Sequence, residues 1–155
     1  MIRLVWGRGH AQTPKASFDA ALSRAGVHQY NLRHLSSVIP AGPEIQHTGT
    51  APDLGSAGNA LDVVMARQTS PPDTPASAGL AWTDREGPGI FYEVADTDAE
   101  TVRDRLQTGI ERGCAIREYD HATVEQKVVT AAGDSDRYTT AVVLATYGTS
   151  ESLID

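Results

Sequence analysis

His28-Gln29-Tyr30-Asn31-Leu32-Arg33-His34-Leu35-Ser36-Ser37-Val38-Ile39-Pro40 is the stretch on which the reading of this chain turns. Tyr30 and Leu32, with His34 beyond them, fall on one side at the two-residue period of a strand, so His28 to Leu35 is expected to be extended. The strand runs directly into two serines, and Pro40 ends any regular ladder because it has no N–H to donate. Taken bare, two adjacent serines after a strand make a turn or a cap. Their meaning depends on what surrounds them.

Toward the N-terminus, Ile2 to Trp6 reads as a short strand, with Gly7-Arg8-Gly9 expected to break it. Thr13-Pro14 is a helix start, a hydroxyl cap followed by proline at the first position, where its missing N–H costs nothing. Phe18, Ala21, Leu22 and Ala25 follow at helical spacing, and Gly26 suits the left-handed residue that ends a helix. Toward the C-terminus, Ala41 to Asn59 is rich in Gly, Pro, Ser and Thr and is expected to be a loop. Strands are expected at Ala60 to Ala66, Ala78 to Thr83 and Ile90 to Ala95. A second helix is expected from Asp98 to Arg112, capped by Asp96 or Thr97 and ended by Gly113. Ala115 to Tyr119, Thr123 to Thr130 and the apolar run Tyr138 to Tyr147 complete the set as strands. The class is α+β, mostly sheet with two main helices, and 155 residues suffice for one domain over 1–155.

Composition narrows the function. A formal net charge of −7 argues against nucleic acid or an anionic membrane as partner, because phosphate recognition needs clustered Lys and Arg. No apolar run approaches the roughly 20 residues that span a bilayer, and the opening strand is too brief for a signal peptide, so the expected location is the cytoplasm. One cysteine, Cys114, allows neither an internal disulfide nor a cysteine metal cluster. The five histidines (His10, His28, His34, His47 and His121) lack metal-ligand spacing, and no metal is expected. Gly7-Arg8-Gly9 lacks the third glycine and the lysine of a phosphate loop, and no Gly-x-Ser-x-Gly elbow marks a serine hydrolase.

Gly7-Arg8-Gly9, Thr13, Phe18-Asp19, Ala21-Leu22, Ala25-Gly26, Tyr30-Asn31-Leu32 and Ser36-Ser37-Val38-Ile39-Pro40, in this order and spacing, resemble the pyruvoyl-dependent arginine decarboxylases. The likeness returns at Gly89-Ile90-Phe91-Tyr92-Glu93 and more loosely in the final strand, and 41–88 carries little of it. The resemblance implies an αββα sandwich of mostly antiparallel sheet, self-cleaved between Ser36 and Ser37 into residues 1–36 and 37–155. It further implies a homotrimer of cleaved protomers, with active sites between neighbours. Ser37 would become a covalent pyruvoyl group, which forms a Schiff base with the α-amine of arginine and accepts electrons as CO2 leaves to give agmatine. Serine suits the task because its oxygen is first a nucleophile and then a leaving group.

The same resemblance assigns roles around Ser37. Asn31 would act in processing, donating to the attacked Ser36 carbonyl; bare, it is a strand residue bonded to nearby backbone. Glu93 would protonate the carbanion, and an apolar setting would raise its pKa for that purpose; bare, it is a solvent-facing glutamate. Asp19 would receive the substrate guanidinium through two parallel hydrogen bonds, with Leu22 lining the aliphatic part of the pocket; bare, one is a surface residue and the other core. His34 is expected to be a bystander. Two other readings stay open: a pyruvoyl-dependent decarboxylase of another amino acid, and an unprocessed trimeric binding or regulatory protein of the same fold.

Overall fold

Gly7 and Gly9 do not break the first strand; they let a helix lie on it. In the computed structural model, which describes residues 1–155, β1 runs through both glycines as Ile2–Ala11. A Cβ at Gly7 would collide with the Ala21 carbonyl oxygen, and one at Gly9 would lie 2.5 Å from the Ala21 nitrogen. Helix α1 (Pro14–Ala25) can therefore settle directly onto the β1 backbone. It starts as expected, with the Thr13 hydroxyl accepting from the Ala16 N–H and Pro14 in the first turn, and it ends at Gly26 with φ of 79°.

The remaining elements are β2 (Asn31–His34), β3 (Val38–Ile39), β4 (Ile45–Gly49), β5 (Ala60–Ser70), β6 (Ala76–Asp84), β7 (Gly89–Asp96), α2 (Ala99–Ile116), β8 (Thr123–Ala131) and β9 (Tyr138–Tyr147). They form a five-stranded sheet in the order β2-β5-β9-β1-β4 and a four-stranded sheet in the order β3-β7-β6-β8. Only β1–β4 and β2–β5 run parallel. No helix is long and apolar enough to cross a membrane.

Each sheet is covered on both faces. Along β9, Ala141, Val143 and Ala145 point between the sheets, where they meet Leu4, Val64, Leu80, Trp82 and Phe91. Val142 and Leu144 point the other way, onto Ala21, Leu22 and Ala25 of α1. On the second sheet, Ala81 and Ile90 pack beneath Val102, Leu106, Ile110 and Cys114 of α2. The layers are thus helix, sheet, sheet, helix, an α+β architecture of mostly antiparallel sheet, as the resemblance implied.

The structure corrects several boundaries. Strand β2 keeps only Asn31–His34, since His28 to Tyr30 turn out of α1. The segment 41–59 is not all loop: Ile45–Gly49 pairs with β1. Helix α2 is capped by Asp98, whose carboxylate accepts from the Thr101 N–H, and it passes through Gly113 to Ile116, so Ala115 to Tyr119 is not a strand. Gly113 faces Ile90 rather than ending the helix; a Cβ there would lie 2.5 Å from the Ile90 Cδ1.

Gly9→Ala is expected to lower stability by about 1–3 kcal/mol, the usual cost of overpacking, because α1 must lift from β1. Urea unfolding of the variant beside the wild type measures this, and an unchanged midpoint would contradict the close contact.

Candidate active site

Where β3 ends, β7 loses its outer partner, and that break in the sheet edge makes the site. Val38 and Ile39 pair with Ile90 and Gly89, and the Ser37 carbonyl accepts from the Phe91 N–H at 2.8 Å. Beyond Phe91 that edge of β7 has no strand beside it. A cleft of about 1150 Å3 lies there, walled by α2 and containing Ser36, Ser37, Tyr92 and Glu93.

Ser37 is held in an unusual conformation. Its φ is 66°, in the left-handed region that a residue with a Cβ rarely enters. Such a conformation costs on the order of 1–3 kcal/mol and persists only where neighbours enforce it. Here the Phe91 N–H holds its carbonyl, and the Tyr147 hydroxyl donates to the next carbonyl, that of Val38, at 2.9 Å. The Ser37 hydroxyl donates to the Glu93 carboxylate, 2.9 Å from each oxygen.

The alternation of β7 explains where Glu93 points. Ile90 and Val94 belong to the apolar layer under α2, whereas Phe91 and Ala95 belong to the layer between the sheets. Glu93 shares the side of Phe91, at the rim of the inter-sheet layer. Its side chain keeps an open flank toward the cleft, yet its carboxyl is drawn partly out of water. Desolvation raises the Glu93 pKa above its ordinary value of 4.5, and the hydrogen bond from Ser37 opposes that rise. Tyr147, whose ring lies 6.2 Å from that of Phe91, is kept protonated by burial and, secondarily, by the Glu93 charge.

Of the residues singled out in the sequence, the fold brings Ser36, Ser37 and Glu93 together. It places the other three elsewhere in the chain. Asn31 opens β2 in the other sheet, and β2 alone puts about 10 Å between it and His34. Its side-chain amide donates to the Gly58 carbonyl at 2.8 Å, which leaves one N–H unused. Asp19 is exposed on α1, and Leu22 is buried against the five-stranded sheet. His34 makes no side-chain hydrogen bond and does not line the cleft.

Sequence reasoning missed the Tyr147 clamp and the cationic α2 wall of the cleft, to which Arg105, Arg112 and Arg117 contribute. A signal for the wall existed: Gly109 and Gly113 lie four apart in a helix, which marks the face that admits a strand closely. Reading Gly113 as a terminator hid it.

A family model described as pyruvoyl-dependent arginine decarboxylase matches residues 1–152 of the chain. A pyruvoyl-dependent arginine decarboxylase of Halobacterium salinarum is 49% identical over 157 residues, spanning 99% of this chain and 98% of that protein. The protein of the same name from Methanopyrus kandleri is 33% identical over 86% of this chain and 85% of its own length. Pyruvoyl-dependent arginine decarboxylase 2 of Archaeoglobus fulgidus is 26% identical, with 92% of each chain covered.

The opposing influences on Glu93 have a measurable consequence. Ser37→Ala removes the hydroxyl that favours the carboxylate, so the Glu93 pKa is expected to rise further above its ordinary value. A raised folded pKa means that the protonated form suits the fold better. Its contribution to stability is fully present below the unfolded pKa and is lost as pH rises through the folded one. Carbon-detected NMR titration of the Glu93 carboxyl in Ser37→Ala measures the shift, and a fall in pKa would remove the hydrogen bond from its assigned place.

Proposed function

Since the chain belongs to the pyruvoyl-dependent arginine decarboxylase family, we propose that it cuts itself between Ser36 and Ser37 and then converts arginine to agmatine and CO2, with Glu93 as its proton carrier. One observation supports this reading above the others: the Ser37 hydroxyl rests on both oxygens of the Glu93 carboxylate. Residues 1–155 act as one domain, divided by the cut into 1–36 and 37–155. The single Cys114, buried and unpaired, suits work in the cytoplasm.

In processing, Glu93 takes the proton from the Ser37 oxygen as that oxygen attacks the Ser36 carbonyl carbon. Glu93 passes that proton to the Ser37 nitrogen as the peptide C–N bond breaks and an ester C–O bond forms in its place. Loss of the Ser37 Cα proton then expels Ser36 as a free carboxylate. Hydrolysis of the remaining residue consumes one water and releases its nitrogen as ammonia. The left-handed φ at Ser37 is part of this account, because backbone strain at a bond to be cut is relieved by cutting it.

The family's pyruvoyl group fits at position 37. The Phe91 N–H that holds the Ser37 carbonyl would hold the same amide carbonyl after conversion, and the adjoining carbon faces the cleft. When present, the group supplies a ketone that condenses with the substrate amine and withdraws electrons as CO2 departs. Glu93 then changes its part. With the Ser37 hydroxyl gone, the influence that lowered its pKa is gone, and desolvation acts with less opposition. A carboxyl shifted in that direction is the better suited to deliver a proton to the substrate Cα.

Asn31, Asp19 and Leu22 complete the site from a partner subunit. Within one chain they lie away from Ser37, and the cleft is flanked by apolar side chains left in water: Leu35, Val38, Tyr92 and Ile116, with Ile116 70% exposed. A homotrimer would cover these residues. It would also bring an Asp19 carboxylate toward the substrate guanidinium and the spare N–H of Asn31 toward the attacked carbonyl.

Two expected outcomes follow. Ser37→Ala should remain one full-length mass under denaturing conditions, whereas the wild type splits after Ser36; Glu93→Gln should process more slowly and lose roughly 10²–10⁴-fold in turnover. A cleaved Ser37→Ala chain, or full turnover in Glu93→Gln, would sink the mechanism. Co-expressing Asp19→Ala with Glu93→Gln chains should restore activity that neither has alone, because mixed trimers contain sites with both residues intact. Failure to complement would place Asp19 outside a shared site.

A further inference from the structure

The cleft has a cationic wall that the reaction as described does not use. Arg105 and Arg112 of α2 and Arg117 just past its end line it, with Asp104 the one carboxylate on that wall. Two of the three are engaged: Arg105 pairs with Asp96 at 3.1 Å, and Arg117 donates to the Gly113 carbonyl at 3.2 Å. Arg112 makes no hydrogen bond and no ion pair. Its helical neighbours three and four positions away are Thr108, Gly109, Ala115 and Ile116, none of them acidic. In a chain with 20 acidic and 13 basic residues, a guanidinium left free in the cleft calls for an explanation.

Its position relative to Ser37 follows from the packing of α2 on β7. Gly109 and Gly113 have no side chains, and β7 occupies that space: a Cβ at 109 would collide with the Tyr92 ring, and one at 113 would meet Ile90. Gly113 thus lies level with Ile90. Val38 pairs with Ile90, and the Ser37 carbonyl bonds to the Phe91 N–H, so Ser37 is at the same level of the sheet. Arg112 immediately precedes Gly113 and shares the cleft with Ser37.

Resting on the decarboxylase reading above, we propose that Arg112 binds the α-carboxylate of the substrate and so orients it over residue 37. An arginine substrate carries a guanidinium, which Arg112 repels, and a carboxylate, which its planar fork can grip through two parallel hydrogen bonds. The two ends are thereby sorted: the carboxylate goes toward α2, and the guanidinium away from it. This contact is made in the bound substrate and vanishes with CO2, so it assists capture and orientation rather than the bond-breaking step. It also separates substrate from product. Agmatine has no carboxylate, and its positive charges meet Arg112 without compensation, which favours release.

The test uses self-cleaved enzyme carrying Arg112→Gln or Arg112→Lys beside the wild type. For Arg112→Gln, processing into two fragments is expected to continue, and KM for arginine to rise about tenfold, the equivalent of one charge-assisted contact. The loss falls on KM rather than on kcat, and inhibition by agmatine does not weaken. Arg112→Lys recovers part of the KM, since it retains the charge without the fork. An unchanged KM in Arg112→Gln would overturn the assignment. So would a matching loss of agmatine inhibition, because that would mean Arg112 shapes the pocket as a whole. A wild-type chain that gives no fragments or no agmatine would overturn the decarboxylase reading instead, and the role of Arg112 with it.

Discussion

Strand β9 is apolar on both faces, and the rest of the architecture follows from that constraint. A strand with Val142 and Leu144 on one side and Ala141, Val143 and Ala145 on the other cannot be left facing water on either. One face takes a helix and the other a second sheet. The second sheet is itself apolar outward through Ala81 and Ile90, and so needs a helix of its own. The layers are therefore dry, and polar chemistry is confined to their rims. Glu93 lies at such a rim. It stands one alternation along β7 from the buried Phe91, near enough to the dry layer to lose part of its solvation and near enough to the edge to meet a ligand.

The rim also explains how a short, irregular strand can hold Ser37 in place. Strand β3 has two residues, and alone it would fray. It is pinned by ladder pairing with β7, by the Phe91 N–H on the Ser37 carbonyl, and by the Tyr147 hydroxyl on the Val38 carbonyl. Tyr147 ends β9, so the strand at the centre of the sandwich also reaches the segment that carries Ser37. That coupling lets a rigid scaffold hold Ser37 in a left-handed conformation it would not adopt in isolation. Tyr147, Phe91 and Trp82 stand in tilted succession through the inter-sheet layer, with ring centres 6.2 and 6.3 Å apart. The support of the site is thus continuous with the core.

Charge is distributed around the cleft with a consistent logic. The chain is acidic overall, yet α2 and the residue just past its end bring three arginines to the cleft, two of them engaged and one free. The two carboxylates proposed above for the reaction stand apart from those arginines, Glu93 on the far side of the β7 edge and Asp19 on the opposite sheet's helix. Such separation suits a substrate whose ends have opposite charge. In the homotrimer proposed above, one of the two poles would come from a neighbouring chain, which would tie specificity to assembly.

Local chemistry was legible in the residues themselves. Thr13-Pro14 and Gly26 bound the first helix because caps act within a few residues, and Tyr138 to Tyr147 read as a central strand because no exposed element tolerates so long an apolar run. The order and spacing of residues around Ser36-Ser37 marked the family because the likeness is carried densely by one stretch, from Gly7 to Pro40. What the sequence could not settle were matters of approach between distant segments. Gly7 and Gly9 read as a break, and Gly113 as a stop, until a helix and a strand were seen to need the space that each side chain would fill. The meeting of Ser37 with Glu93 across 56 residues came from family likeness rather than from any pattern in this chain, because such contacts depend on which sheet edges end where. Only the tertiary structure showed that Asn31, Asp19 and Leu22 lie outside the cleft that holds Ser37 and Glu93, since adjacency along a strand says nothing about which surface the strand will face.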